Sequence, residues 1–237
     1  MDIKKFLEQE NIKQLIAQND LQTVYGKLPE AYRSDLSEYL IDLNINPVDY
    51  FRSEVPHYAC YKCSKLTSVT IPARILRIGD GAFSSCSNLQ EITIPDNVTE
   101  IGDYAFFHCR SLADIILPRH LMYVCDYSFD GCTSLSRVEI PDGVTKIGAG
   151  AFNECESLTR VVIPDSVTTI SKYAFCNCRN LESLTIGKGV TRINQFAFTG
   201  CESISDIYYN GTQDEWEKIL IESGNYALKY KTIQFND

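Results

Sequence analysis

A chain of 237 residues with 44% hydrophobic side chains and a formal charge of −9 is a folded acidic protein. Its 31 acidic against 22 basic residues argue against nucleic acid and against anionic membrane surfaces as partners, because phosphate binding needs clustered Lys and Arg. No apolar run approaches the roughly 20 residues of a spanning helix, so no membrane insertion is expected.

Residues 1–50 do not repeat and read as a helical N-terminal cap of three or four short helices. Phe6, Leu7, Ile12, Leu15 and Ile16 recur near helical spacing. Asp20 is placed to cap a second helix holding Leu21, Val24 and Tyr25, with Gly26 near its end. Pro29 suits the first turn of another. Ser34 is expected to cap a run with Leu36, Leu40 and Leu43 facing inward, which Asn44 and Pro47 stop. The head is too small for a large core of its own, so it is expected to cover the first coil of the segment C-terminal to it. A separate binding or assembly module is the alternative. Met1-Asp2-Ile3-Lys4-Lys5-Phe6 is followed by neither a long apolar segment nor a small-residue cleavage site, and Gln234-Phe235-Asn236-Asp237 carries no anchor. As written the chain is expected in the cytoplasm; if a leader was removed, it is expected to be secreted or at the surface.

Residues 51–210 form an array with a period of 23. Leu66, Leu89, Leu112, Leu135, Leu158, Leu181 and Ile204 open seven units without insertion, and Val55, Ala59 and Cys63 make a half unit ahead of them. Such a period means a solenoid. A full unit runs Leu89-x-x-Ile92-x-Ile94-Pro95-Asp96-x-Val98-Thr99-x-Ile101-Gly102-x-x-Ala105-Phe106-x-x-Cys109. Ile92 and Ile94 alternate at strand period. Pro95 ends that strand, having no N–H to donate. Val98 and Ile101 turn back inward along a second short extended piece. Ala105 and Phe106 fill the far side, and Cys109 closes the coil. Local replacements are Cys125, Ser171 and Asn194 for the Gly, Ser128 for the Ala, and Ile186-Gly187 without the Pro.

Seven of the ten cysteines (Cys63, Cys86, Cys109, Cys132, Cys155, Cys178, Cys201) recur at the period. A repeated position means a repeated buried environment, so they read as a packed thiol ladder. A column spreads its sulfurs along a line, whereas zinc needs ligands converging on one point. Cys60-x-x-Cys63 has only a weak claim to redox or metal chemistry.

The repeat closely resembles the BspA-type leucine-rich repeat, also called the Treponema pallidum type, over about residues 55–210. The resemblance implies a leucine-rich repeat solenoid with a parallel β-sheet face, a convex side of irregular or short extended segments, a helical N-terminal cap and a short C-terminal helix cap at 211–237. In that tail Trp216 and Ile219 are expected to cover the last coil. The family implies a binding protein, and many of its members are bacterial surface adhesins.

Outward positions on the strands supply the candidate partner-binding residues. They are Glu91, Asp114, Ile116, Arg137, Glu139, Arg160, Val162, Asp206 and Tyr208, where Ile116, Val162 and Tyr208 are apolar at places the template leaves to solvent. A second column, Tyr104, Tyr127, Tyr173 and Phe196, reads as packing around the coil. No enzyme constellation appears. His57, His108 and His120 have no i, i+4 partner, no Gly-rich phosphate loop or Gly-x-Ser-x-Gly elbow occurs, and no catalytic residue, cofactor or metal ligand is expected. The expected function is a protein-binding scaffold, monomeric or weakly oligomeric, with an unidentified protein partner. The alternatives are a surface adhesin and a carbohydrate or cell-wall binding module.

Overall fold

The computed structural model describes residues 3–10, 13–14, 21–42 and 46–236. From Glu54 onward the chain is a parallel-strand solenoid. Each coil gives one strand to a front sheet and one to a side sheet. The front strands are Ser68–Thr70, Glu91–Thr93, Asp114–Ile116, Arg137–Glu139, Arg160–Ile163, Ser183–Ile186 and Asp206–Tyr209, and Ile233–Phe235 of the tail adds one more. The side strands run from Glu54–Val55 to Leu220–Ile221, two residues each. Register is one period within the array, as in Ser68↔Glu91, Arg160↔Ser183 and Thr169↔Arg192, and only the two tail strands pair at a longer step. Both sheets lose their ladder pairing between the coil of residues 89–111 and the coil of 112–134. The front sheet pairs in segments of two, two and four strands, the side sheet in segments of three and five.

Two corners per coil adopt the left-handed conformation. One holds Tyr104, Tyr127, Tyr173 and Phe196, with Gly81 and Gly150 in the same column; the other holds His108, Gly131, Glu154 and Asn177. The first is the aromatic column of the sequence. Its rings stack along the solenoid axis, Tyr104 on Tyr127 at 5.0 Å and Tyr173 on Phe196 at 5.5 Å. Where the column has glycine, the ring of the preceding coil lies over it. A Cβ on Gly150 would meet the Tyr127 ring at 2.5 Å.

The interior is built of ladders. Phe83, Phe106, Phe129, Phe152, Phe175 and Phe198 stack nearly parallel with centroids 5.2 to 5.4 Å apart. The ladder thiols are free and buried, and from Cys86 onward each donates to a carbonyl of the preceding coil, such as Cys109 to Phe83 at 3.1 Å and Cys132 to Phe106 at 3.2 Å, while Cys63 turns to the Ser34 carbonyl of the head at 3.9 Å. This explains cysteine where a plain hydrophobe would also fit, since the position needs a small buried donor. On the surface Thr99, Thr145, Thr168 and Thr191 repeat the pattern, each hydroxyl donating to a carbonyl one coil back.

In the head, helix α1 is Ile3–Leu7, α2 is Leu21–Lys27 and α3 is Arg33–Asp42. Ile12, Leu15, Ile16, Asp20, Leu43 and Asn44 lie outside the described residues. Ser34 is no N-cap: a 3-10 turn at Glu30–Tyr32, entered from Pro29, runs straight into α3. Pro47 does not simply stop a helix either. Asn46 accepts from the Val48 N–H at 3.2 Å, so Pro47 opens a further 3-10 turn, Pro47–Tyr50. Val24, Tyr25, Leu28, Leu36 and Leu40 join the core of the array, with Tyr25 edge-on to Phe51 at 4.9 Å. The Ser37 hydroxyl donates to the Ala59 carbonyl and meets the Tyr25 hydroxyl, all buried. Ser37→Ala therefore strands two buried polar groups and is expected to lower stability by about 1–3 kcal/mol, read from urea midpoints.

The tail is more than a helix. Thr212 and Glu215 form a capping box on Gln213–Trp216, and Trp216 lies edge-on to Tyr209 at 5.2 Å with Ile219 buried beyond it. Leu220–Ile221 then pairs with Arg192–Ile193, and Ile233–Phe235 with Ile207–Tyr209. One degenerate coil thus continues both sheets.

Candidate binding face

Strand period 2 sends alternate side chains of each front strand inward and outward. Val69, Ile92, Ile115, Val138 and Val161 are buried, and their neighbours on either side are exposed. Glu91, Asp114, Ile116, Arg137, Glu139, Arg160 and Val162 therefore share one exposed surface. Ile116 is 71% exposed and Val162 42%, each on a strand that stands at one end of its hydrogen-bonded segment. Asp206 and Tyr208 lie on the same sheet but are half-buried, because the tail strand pairs alongside, with Gln234 next to Tyr208.

Two open grooves run along this face. One, of about 890 Å3, is lined by Arg137, Glu139, Arg160 and Val162 together with Asp142 and Asp165. The other, of about 750 Å3, holds Glu91, Asp114 and Ile116. Asp206 and Tyr208 line neither. The grooves thus gather seven of the nine expected residues and leave two aside.

The charges on the face differ in their engagement. Arg137 pairs with Glu139 on its own strand and stands beside Asp114 of the adjacent one, in register. Such exposed pairs contribute about 0–1 kcal/mol and are freely exchanged for a partner's charge. Among the described residues Arg160 has no carboxylate partner. It projects next to Val162, a free cation beside exposed apolar surface.

Sequence reasoning does not single out Asp142 and Asp165. They come directly after the prolines that end their strands, and turn carboxylates there look like ordinary solvated surface. A signal exists all the same: Pro141-Asp142 and Pro164-Asp165 occupy one template position in adjacent units, which puts both acids on one rim. Asp165 is tied down by the Lys188 N–H at 3.0 Å and the Asn210 amide at 3.4 Å.

Residues 53–181 and 124–233 match the BspA type Leucine rich repeat region, in six copies. A leucine rich repeat protein of T. pallidum is similar at 35% identity and a TM-score of 0.60, over 65% of this chain and 72% of that one. A leucine-rich repeat protein from Eubacterium ventriosum aligns with a TM-score of 0.58 at 26% identity, over 72% of this chain but only 44% of that one. No curated protein matches the sequence. Leucine-rich repeat proteins are in general scaffolds for protein interaction. Stacked coils with a parallel front sheet are the fold these matches require, and the matches take in most of the array, so the chain belongs to the BspA type leucine-rich repeat family.

Proposed function

We propose that the protein is a non-enzymatic scaffold that binds another protein through its front sheet, centred on Arg137, Arg160 and Val162. The observation that carries this is the exposed pairing of Ile116 and Val162 with charges along continuous grooves. Apolar surface rimmed by charge is the usual mark of a protein interaction site. Solenoids present such surfaces on rigid, repeated elements. Carbohydrate recognition is less well supported, because Trp216, the large ring a sugar would stack on, lies against Tyr209. Among the described residues no helix is long and apolar enough to cross a membrane.

Affinity capture from the source cell tests the face. With Arg160→Glu and Val162→Asp, recovery of the partner is expected to fall at least about tenfold, the loss of one interface hot spot. Lys146→Glu, on an exposed side strand, is expected to leave recovery unchanged. Equal recovery with both front-face variants places the site elsewhere.

A further inference from the structure

The second left-handed corner brings together a cluster that no period reveals. His108, Asp130 and Glu154 come from three successive coils. Each offers one ligand atom, and these atoms all lie within 4.8 Å of one another. Backbone bonds join the three coils here, His108 N–H donating to Asp130 O at 2.7 Å and Gly131 N–H to Asn153 O at 2.8 Å, and Glu154 N–H ties the third to the next coil at Cys176 O, 2.8 Å.

Glycine makes the convergence possible. Gly131 occupies the corner between those of His108 and Glu154, with φ +72, and a Cβ there would sit 2.2 Å from Cδ2 of the His108 imidazole. Without that side chain the imidazole lies across the middle coil and approaches Glu154 from two coils away. Asp130, one residue before Gly131, points into the same space.

The charges call for a cation. Asp130 is only 7% exposed. Its Oδ1 accepts from the Asn153 amide at 2.8 Å, an arrangement that orients a ligand carboxylate without neutralising it. Among the described residues no lysine or arginine pairs with Asp130 or Glu154. A buried carboxylate beside a second carboxylate, with the His108 imidazole but no lysine or arginine to offset them, gains from an ion shared among the three.

The geometry points to a divalent transition-metal site, zinc in the first instance, held by His108, Asp130 and Glu154. One imidazole and two carboxylates suit zinc better than calcium or magnesium, which prefer oxygen alone. A tetrahedral zinc has its donors about 3.3 Å apart for bonds of about 2.0–2.1 Å, so the exposed Glu154 closes in by rotation of its side chain. The fourth position faces solvent on the Glu154 side and takes water or a ligand oxygen.

The site also has a structural consequence. His108 belongs to the coil of residues 89–111 and Asp130 to that of 112–134, where both sheets lose their ladder pairing. An ion bound here ties those coils together and adds the third one through Glu154.

Zinc titration of the full chain by calorimetry, under a non-chelating reductant, tests this. One zinc per chain is expected, and the wild type is expected to melt at a higher temperature with zinc than without. His108→Ala and Glu154→Gln, both at partly or fully exposed side chains, are each expected to weaken binding at least about tenfold and to abolish the thermal shift. Asp130→Asn, which keeps the side-chain size, is expected to do the same. Cobalt bound in place of zinc is expected to give a visible spectrum without a thiolate charge-transfer band. The proposal is overturned by absence of zinc binding, by equal affinity in His108→Ala and Glu154→Gln, by preference for calcium or magnesium, or by a thiolate band placing the ion on the cysteines.

Discussion

Between about pH 8 and pH 10 the protein is expected to lose most of its net stability. Six thiols, Cys63, Cys86, Cys109, Cys132, Cys155 and Cys178, are held protonated well above the ordinary thiol range. For five of them burial is the main cause; for Cys63 the hydrogen bond with Cys60 comes first and burial second. An unfolded thiol ionises near 9.0. The folded pKa lies above the unfolded one, so the contribution is complete below about pH 9 and is lost as pH rises, because only the unfolded chain releases the proton. One unit above that value each thiol costs about 1.4 kcal/mol, or roughly 8 kcal/mol for the six, against a typical net stability of about 5–15 kcal/mol. Tyr25, raised first by burial, adds to the loss at higher pH. Urea midpoints by circular dichroism at pH 8, 9 and 10 read the effect. A double variant, Cys132→Ala with Cys155→Ala, is expected to be weaker at neutral pH yet to lose about a quarter to a third less between pH 9 and 10, since Cys125 and Cys176, pushed up to about 11 by burial, add losses of their own. A midpoint flat to pH 10 would show that the ladder thiols ionise in place.

The period makes most of this architecture legible, and the reason is physical. A solenoid coil buries its inward residues against copies of itself, so every inward position is selected alike and shows up as a column. Val69, Ile92 and Ile115 are read from such a column, and so are Ala105, Phe106 and Cys109. The exposed row from Glu91 to Val162 comes from the same strand alternation. What the period hides is contact between unlike template positions. The bond from Cys109 to the Phe83 carbonyl joins different places in adjacent coils, and no column shows it. His108, Asp130 and Glu154 are hidden in the same way, since Asp130 stands one place off the column of the other two. Outside the array, helix signals are ambiguous one residue at a time. Proline ends one element and begins another with the same locked φ, so Pro47 reads as a stop and serves as a start.

Phe129→Ala is expected to divide the unfolding of the array into two steps. The Phe129 ring is 1% exposed and stacks at 5.4 Å on both Phe106 and Phe152, 6° from parallel in each case. Losing it costs about 3–5 kcal/mol in cavity and transfer terms, plus about 0.5–1.5 kcal/mol for each of the two ring contacts. Phe198 has one ring neighbour, Phe175, so Phe198→Ala is expected to cost about 1 kcal/mol less. Position matters more than this difference. Phe129 lies just past the boundary where both sheets lose their ladder pairing. Across it the coils are joined by the Phe106–Phe129 and Tyr104–Tyr127 stacks, by the Cys132 thiol on the Phe106 carbonyl, and by backbone bonds such as Phe106 N–H to Ser128 O at 2.8 Å. In a solenoid stability is a sum of unit and neighbour terms, and cooperativity fails where one neighbour term becomes small. Removing the largest contact at the weakest junction therefore uncouples the coils on the head side from those on the tail side. Hydrogen exchange is expected to show protection lost in residues 46–111 at lower urea than in 135–221, while wild type and Phe198→Ala lose both together. A single cooperative transition in Phe129→Ala would mean that the backbone bonds at the corners carry the coupling between coils and the ring ladder only fills space.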